Sequence, residues 1–359
     1  MNNREVFLID LIGSYAGMDY YDFAFRNVFN NTDLELRILS NYEPHDGKPF
    51  LRNMFGKSKS HSILLMLYNY CKLFFFCLFH RKRVYVYLSF GEITDFLFFS
   101  LSLLTKNFYV DIHELFAARY QENERIKKIF GVYYRRIIKK IIFHSQKTDE
   151  LLNLVGYVGN RLYVPHFKYN MNKDYNIEKV GDDVKMRFNS NNKKFLFFGN
   201  LRKVKGIDLV VDYFDKISNT DGIELVIAGK NMENINFESL RNRYGIIDRH
   251  INDDEMKYLY SHTDYVLLPY RDSSQSGILE MAFSFKKPML LSSIPYFTMI
   301  YSNYPSFGEI TDLEYYDKLL DKIINSQIIK EYYSEADCDK FMMKDETNIF
   351  VKQFINSFS

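Results

Sequence analysis

Phe195-Leu-Phe-Phe-Gly-Asn-Leu-Arg-Lys-Val-Lys-Gly206 and, further on, Pro269-Tyr-Arg-Asp-Ser-Ser-Gln-Ser-Gly277 decide the reading of this chain. Each stretch reads as a buried strand running into a glycine-bearing loop and then a helix. Such a loop offers an anion its backbone N–H groups and the positive end of a helix dipole. Arg202, Lys203 and Lys205 add positive charge to the first loop, although a solvated loop carries the same residue types. Two loops of this kind in one alternating strand–helix series point to a diphosphate.

Outward from these loops the alternation continues. In the C-terminal half strands are expected at 195–198, 224–228, 250–251, 265–268 and 289–291, with helices at 207–217, 237–244, 253–261 and 276–285. Asp253-Asp-Glu255 gives the third helix the acidic first turn that a helix dipole favours. In the N-terminal half strands are expected at 6–12, 84–88, 108–111, 140–144 and 162–165, with helices at 18–30 and 93–104. Closing helices are expected at 314–325 and 345–358. Strands alternating with helices imply doubly wound parallel sheets, here two Rossmann-like α/β domains. The expected division is a domain over 1–168, a polar Asn- and Lys-rich linker over 169–194, a second domain over 195–340, and a final helix, 341–359, packing back toward the first domain. Ligands in such sheets bind at the C-terminal edges of the strands, so a cleft between two such edges is the expected site.

The chain has 359 residues, enough for two cores. It is 47% apolar and 26% charged, the profile of an ordered globular protein. A formal net charge of +2 gives nucleic-acid binding no support, and no nucleic-acid partner is expected. Three cysteines, Cys71, Cys77 and Cys338, have neither a pairing count nor ligand spacing. They read as buried free thiols in a reducing cytoplasm. The start, Met1-Asn-Asn-Arg-Glu-Val-Phe-Leu-Ile-Asp10, reads as a strand, because Asp10 breaks an apolar run too short for a signal peptide. Gly13-Ser-Tyr-Ala-Gly17 follows as a loop and is no dinucleotide fingerprint.

The order and spacing of several short pieces resemble the group 1, family 4-like glycosyltransferases of bacterial polysaccharide biosynthesis. These pieces are Gly199-x5-Lys205-Gly206, Leu225-Val-Ile-Ala-Gly229, Tyr258-Leu-Tyr260 with Thr263-Asp264, Pro269-Tyr270, Gln275-Ser-Gly277, Ala282 and Lys287-Pro288. Asp111-Ile-His-Glu114 and Phe143-His-Ser145 extend the likeness more loosely into the N-terminal half. The resemblance implies the two-domain GT-B architecture and transfer of a hexose-type sugar from a nucleotide-diphosphate donor, UDP- or GDP-linked. No further cofactor is implied. The acceptor is expected to be a saccharide, such as a lipid-linked intermediate of a surface polysaccharide or capsule. No metal is expected, since Asn252-Asp-Asp254 reads as a helix cap.

By the same resemblance Lys205 and Arg202 contact the diphosphate beside Gly199, and Ser274, Gln275, Ser276 and Gly277 cradle phosphate and donor sugar. Many retaining members of that family carry two glutamates eight positions apart in the second loop, whereas some polysaccharide-building members carry a Tyr-Arg-x3-Gln-Ser-Gly variant that this chain resembles better. Asp272 and Glu280 have that spacing, yet counting back from Lys287-Pro288 puts Ser273 and Met281 in those places. The acidic pair is therefore either shifted by one residue or absent, and Glu280 is either a ribose contact or a carboxylate favoured by the helix start. His113 is expected to contact the donor sugar or its phosphate. Asp111 or Glu114 is a general base if the reaction inverts; retention is mildly favoured. Gly13 and Gly17 are expected to face donor or acceptor. Base recognition is expected near Gly229-Lys230 and Arg249-His250-Ile251, for uridine or guanosine alike. Two rivals remain: a nucleotide-sugar epimerase, which lacks an evident second carboxylate cluster in the N-terminal half, and a catalytically degenerate partner protein that binds a nucleotide sugar.

Two segments bear on membranes. Ile63 to Phe79, closed by His80-Arg-Lys-Arg83, falls short of the roughly 20 residues a crossing needs and contains Asn69 and Lys72, so a buried or interfacial helix is expected. Arg125 to Lys140 alternates basic and apolar pairs. It is either a face for an anionic membrane or a half-exposed helix packing its Ile and Phe inward. The expected location is the cytoplasm, with the inner face of the cytoplasmic membrane as a peripheral site.

Overall fold

Strands without a polar face must be covered on both sides, and Val84–Ser89 and Phe108–Ile112 are buried along their whole length. The computed structural model describes residues 4–13, 17–42, 48–120, 122–169, 171–185, 192–217, 222–326, 331–342 and 345–358. It divides into two units, Met1–Tyr169 with Lys344–Ser359, and Asn170–Met343.

In the first unit β1 (Arg4–Ile9), β2 (Leu34–Leu39), β3 (Val84–Ser89), β4 (Phe108–Ile112), β5 (Lys140–Phe143) and β6 (Asn160–Tyr163) form a parallel sheet in the order β2-β1-β3-β4-β5-β6. Its helices are α1 (Met18–Asn27), α2 (Lys59–Phe79), α3 (Asp95–Phe99), α4 (Glu124–Arg136), α5 (Gln146–Leu154) and, from the chain's end, α14 (Asp345–Asn356). Alternate strand residues feed two cores. Phe7, Ile9, Tyr85, Tyr87 and Val110 meet Leu73 and Cys77 of α2 and Phe130 and Tyr134 of α4 on one face. Val6, Leu8, Val86 and Tyr109 meet Tyr21 and Phe25 of α1 and Phe350 and Phe354 of α14 on the other. Lys140 Nζ donates to the Ser357 carbonyl (2.8 Å), which ties the end of α14 to β5.

In the second unit β7 (Lys193–Phe198), β8 (Ile223–Ala228), β9 (Gly245–Ile247), β10 (Tyr265–Leu268), β11 (Met289–Ser292) and β12 (Gly308–Thr311) form a parallel sheet in the order β12-β11-β10-β7-β8-β9. Its helices are α6 (Asp182–Lys185), α7 (Ile207–Lys216), α8 (Glu238–Arg241), α9 (Asp253–His262), α10 (Gly277–Ser284), α11 (Pro295–Asn303), α12 (Tyr316–Asn325) and α13 (Glu335–Met342). Phe195, Phe197, Leu225 and Ile227 pack on Val210 and Phe214 of α7 and on Leu319 and Leu320 of α12.

Several expectations change. The strand expected at 250–251 lies at Gly245–Ile247, in register with Val226–Ala228. The apolar spacing of Leu240 and Tyr244 imitated a helix period across 237–244, but both side chains fill the core on either side of a short helix, Glu238–Arg241. Ile93 to Leu104 is a five-residue α-helix followed by a 3-10 turn, not one helix. Residues 171–185, expected as part of a linker, pack onto the second unit: Asp254 accepts from the Asn176 N–H (2.7 Å) and Arg249 bonds Asp183 (2.9 Å). The expected linker residues 170 and 186–191 lie outside the described residues. The thiols are not uniformly buried, since Cys71 is exposed and Cys338 intermediate.

Phe354 packs at centroid distances of 4.9 Å from Tyr109 and 5.4 Å from Phe29. Phe354→Ala is expected to lower the unfolding free energy by about 3–5 kcal/mol in denaturant titrations, as fully buried aromatics do. Lys352→Ala, an exposed neighbour on the same helix, is expected to stay within about 0.5 kcal/mol of wild type.

Candidate functional site

In the second sheet β7 and β10 are neighbours, yet the chain winds outward from them in opposite directions. In open sheets of this kind a ligand crevice forms at the C-terminal ends of such a pair. The loops 199–206 and 269–277 are the ones that leave β7 and β10.

Gly206 sits at φ 73° as the first cap of α7, and a Cβ there would lie 2.0 Å from the Pro269 carbonyl oxygen. Only glycine fits this backbone and this space. Gly206 also brings no side chain to cap α7, the arrangement in which the leading amides of a helix can bind an anion. Arg271 joins the loops. Its guanidinium forks onto Asp208 of α7 at 2.7 and 2.9 Å and donates to the Lys203 carbonyl, and its N–H donates to the Val204 carbonyl at 2.8 Å. Lys205 closes the short 3-10 turn Lys203–Lys205. Its Nζ stands 3.4 Å from where a Cβ on Gly199 would be, and 5.6 Å from the Tyr270 ring centroid.

The second loop is braced from within. Ser276 caps α10 by accepting from the Leu279 N–H (3.3 Å). Ser273 Oγ donates to the Gln275 carbonyl (2.6 Å). Ser274, Gln275 and Gly277 are half-buried at this turn, and Arg202 is half-buried in the first loop. Glu280 lies in the first turn of α10 but is only 1% exposed, within electrostatic reach of Tyr333. Met281, the alternative register, is also buried.

The loops after β8 and β9 lie beside this crevice. A Cβ on Gly229 would sit 1.9 Å from the Gly199 carbonyl oxygen, so the two strand ends touch. The Asn231 N–H donates to Asp248 (2.9 Å), and His250 is exposed just beyond. Arg249 is already committed, because it contacts Glu255 at 2.7 Å and Asp183 at 2.9 Å. Hydrogen bonding to Glu255 raises the Arg249 pKa further. Burial pushes Glu255 up, but Arg249 and the Asn252 and Gly181 amides outweigh it and hold the carboxyl below its ordinary value.

The C-terminal edge of the first sheet is stitched by buried carboxylates. Asp10 accepts from the amides of Ile12 (2.8 Å) and Gly13 (2.7 Å). Asp95 accepts from Tyr87 and Ser89 hydroxyls at 2.8 and 2.7 Å, and burial pushes it up to about 6 against those bonds. Asp111, at the end of β4, accepts from Tyr21 Oη at 2.6 Å and meets His144 Nε2 at 2.6 Å. His144 Nδ1 faces the Val164 carbonyl (2.9 Å), which only accepts, so Nδ1 is the donor there. Burial pushes Asp111 up, yet the His144 charge and these hydrogen bonds hold its carboxyl below the ordinary range.

Asp111 is one of the two carboxylates, with Glu114, expected as a general base if the reaction inverts. It is fully buried with both oxygens engaged. Glu114 is the exposed carboxylate of that loop. Asp111, His113 and His144 offer ligand atoms within 4.8 Å of one another, and in this structure Asp111 Oδ1 and His144 Nε2 meet each other at 2.6 Å. His113 stacks on Phe90 (4.8 Å) and meets the edge of Tyr21 (4.4 Å). Burial drives its pKa down to about 3, so it is neutral at pH 7. Gly13 packs against Asn41, whose side chain donates to the Leu11 and Ile12 carbonyls at 3.2 and 3.1 Å. Gly17 caps α1, and 14–16 between them lie outside the described residues.

The structure thus brings Gly199, Arg202, Lys205, Gly229, His250, Ser274, Gln275, Ser276, Gly277 and Glu280 to one sheet edge. Gly13, Asp111 and His113 lie at the edge of another. Sequence reasoning missed Arg271 with Asp208, and Tyr21 with His144. The acidic first turn of α7 was the only local signal for the first pair; the second had none.

Comparison with known proteins agrees with this architecture. No curated protein sequence matches the chain. Among solved structures, sucrose-phosphate synthase from Thermosynechococcus elongatus aligns with TM-score 0.70 at 12% identity over 99% of each chain. WaaG, a glycosyltransferase involved in lipopolysaccharide biosynthesis, aligns with TM-score 0.66 at 12% identity over 98% of each chain. Anabaena HepE in complex with UDP-glucose aligns with TM-score 0.64 at 12% identity over 98% of each chain. Residues 181–336 match the family described as glycosyl transferases group 1. The chain therefore has the GT-B fold of these neighbours, and the match to glycosyl transferases group 1 lies within its second unit.

Proposed function

We propose that the protein transfers a sugar from a nucleotide-diphosphate donor to a saccharide hydroxyl. One observation carries the reading: two glycine loops meet at the switch point of the second sheet, with uncapped helix amides and Lys205 beside them. When the bond between the anomeric carbon and the phosphate oxygen breaks, negative charge grows on the diphosphate. Fixed amides and an ammonium in a crevice stabilise that charge as it forms. Lys205 and the loops fill this role with no resident metal invoked. UDP is the favoured nucleotide, because a neighbour of the same fold is solved with UDP-glucose. A lipid-linked surface-polysaccharide intermediate is the favoured acceptor, in keeping with a neighbour involved in lipopolysaccharide biosynthesis. Retention is favoured, since the engagement of Asp111 removes one of the two bases that inversion would use. An epimerase would need acid and base groups open to the sugar ring, whereas Tyr21, Asp111 and His144 satisfy one another.

Thermal-shift titration against UDP, GDP and their sugars tests the site, because a ligand stabilises the native state according to its occupancy. UDP-linked donors are expected to raise the melting temperature. Lys205→Ala is expected to weaken that binding by about 10- to 100-fold, the worth of a charge-assisted hydrogen bond. A shift left intact in that variant moves the diphosphate elsewhere.

His113 gives a second check. Its folded pKa lies below that of the unfolded chain, so the unfolded state takes up the proton first. Its contribution to stability is full above pH 6.5 and is lost as pH falls toward about 3. Relative to His113→Gln, the wild type is expected to lose up to about 1.4 kcal/mol per pH unit between pH 6.5 and about 3. Parallel pH-stability curves for the two proteins would mean that His113 is charged in the fold.

A further inference from the structure

α2 has two unlike faces. Asn69, Leu73 and Cys77, spaced by four, are buried. Leu64, Tyr68, Cys71, Phe75 and Phe79, at the spacing of a second helical stripe, are exposed, with Leu64 at 66%, Phe75 at 54% and Phe79 at 78%. The helix is long and apolar enough to cross a bilayer by length and composition. Its inner face forbids that. Asn69 exchanges two hydrogen bonds with the Arg52 backbone, both 2.9 Å, and Lys72 Nζ donates to the Phe50 carbonyl at 2.8 Å. Tyr70 Oη is bonded to Ser100 Oγ (2.9 Å). A helix held to its unit along one side presents the other side flat.

Charge says what it presents that side to. Residues 48–91 contain eight Lys and Arg and no Asp or Glu. The rest of the chain carries a net charge of −6, from 47 Lys and Arg less these eight against 45 Asp and Glu. The cations stand at both ends of the helix, at Lys57 and Lys59 and at Arg81 and Lys82, where a helix lying in the plane of a bilayer meets headgroups. A second copy of this chain is a poor occupant, because a two-fold contact would set the same basic rims against each other.

We propose that the exposed stripe of α2 seats the protein on an anionic lipid bilayer, with Leu64, Tyr68, Phe75 and Phe79 in the acyl boundary and the flanking cations among the headgroups. This deepens the reading of a lipid-linked acceptor, which it would bring to the protein. It also moves the contact away from 125–140, where α4 buries Phe130 and Tyr134 and Arg135 donates to the Val155 carbonyl. Lys140 there is a strand residue bonded to the Ser357 carbonyl.

Flotation of the full chain with vesicles tests it without donor or acceptor, so a failure here leaves the transferase reading intact. Wild type is expected to float with equal parts phosphatidylcholine and phosphatidylglycerol, and far less with phosphatidylcholine alone. Leu64→Gln with Tyr68→Gln and Phe75→Gln is expected to lower partitioning by at least about tenfold. Arg81→Glu with Lys82→Glu, outside the core, is expected to lower it by about fivefold or more for each charge and keeps the test open should the first variant misfold. Wild type that stays with the soluble fraction, variants that float like wild type, or a wild-type dimer that the Gln variant converts to monomer in light scattering would each overturn the proposal.

Discussion

The contact between Gly206 and Pro269 is the constraint on which the candidate site depends. A carbonyl oxygen occupies the place where any other residue at 206 would carry its Cβ. With that approach allowed, the loop after β7 lies against the loop after β10, and α7 starts without a side-chain cap. Arg271 then locks the two loops through Asp208 and the Lys203 carbonyl. The contact at Gly229 repeats the logic one strand over, where β8 ends against the Gly199 backbone. The anion site proposed here follows from backbone proximity, and proximity from missing side chains.

The first unit reaches order at its own sheet edge by another route. Three buried carboxylates fold the loops back on the strands, and each is satisfied by amides or hydroxyls near it. Asp22 on α1 lies within electrostatic reach of Asp10, and burial pushes both carboxyls up. Such groups hold geometry and do not offer themselves to substrate, which is why Asp111 reads differently in the fold than in the chain. His113, between the Phe90 face and the Tyr21 ring, is neutral at pH 7 and so is a hydrogen-bonding group and not a cation.

Much of the fold was legible because strands such as Val84–Ser89 are continuous apolar runs, and because Asn252 with Glu255 forms a capping box that local sequence announces. β2, Leu-Glu-Leu-Arg-Ile-Leu, went unread because a charged side chain every second residue resembles a surface segment. β9 was displaced because Leu240 and Tyr244 have helical spacing and bury for a tertiary reason. α2 was read as buried or interfacial. Its apolar composition is the same on both faces, and only packing shows which face the unit covers.

The sequence by itself determined the alternation of strands and helices, the two glycine loops with their cations, and the stretch without acids around α2. All of these depend on residues close along the chain. Tertiary structure alone decided which loops meet and which charges are already spent. Arg271 and Asp208 are 63 positions apart, Asp111 and His144 are 33, and Tyr21 and Asp111 are 90. Pairings over such distances follow from the order in which strands join the sheet, and no local period of side chains records that order.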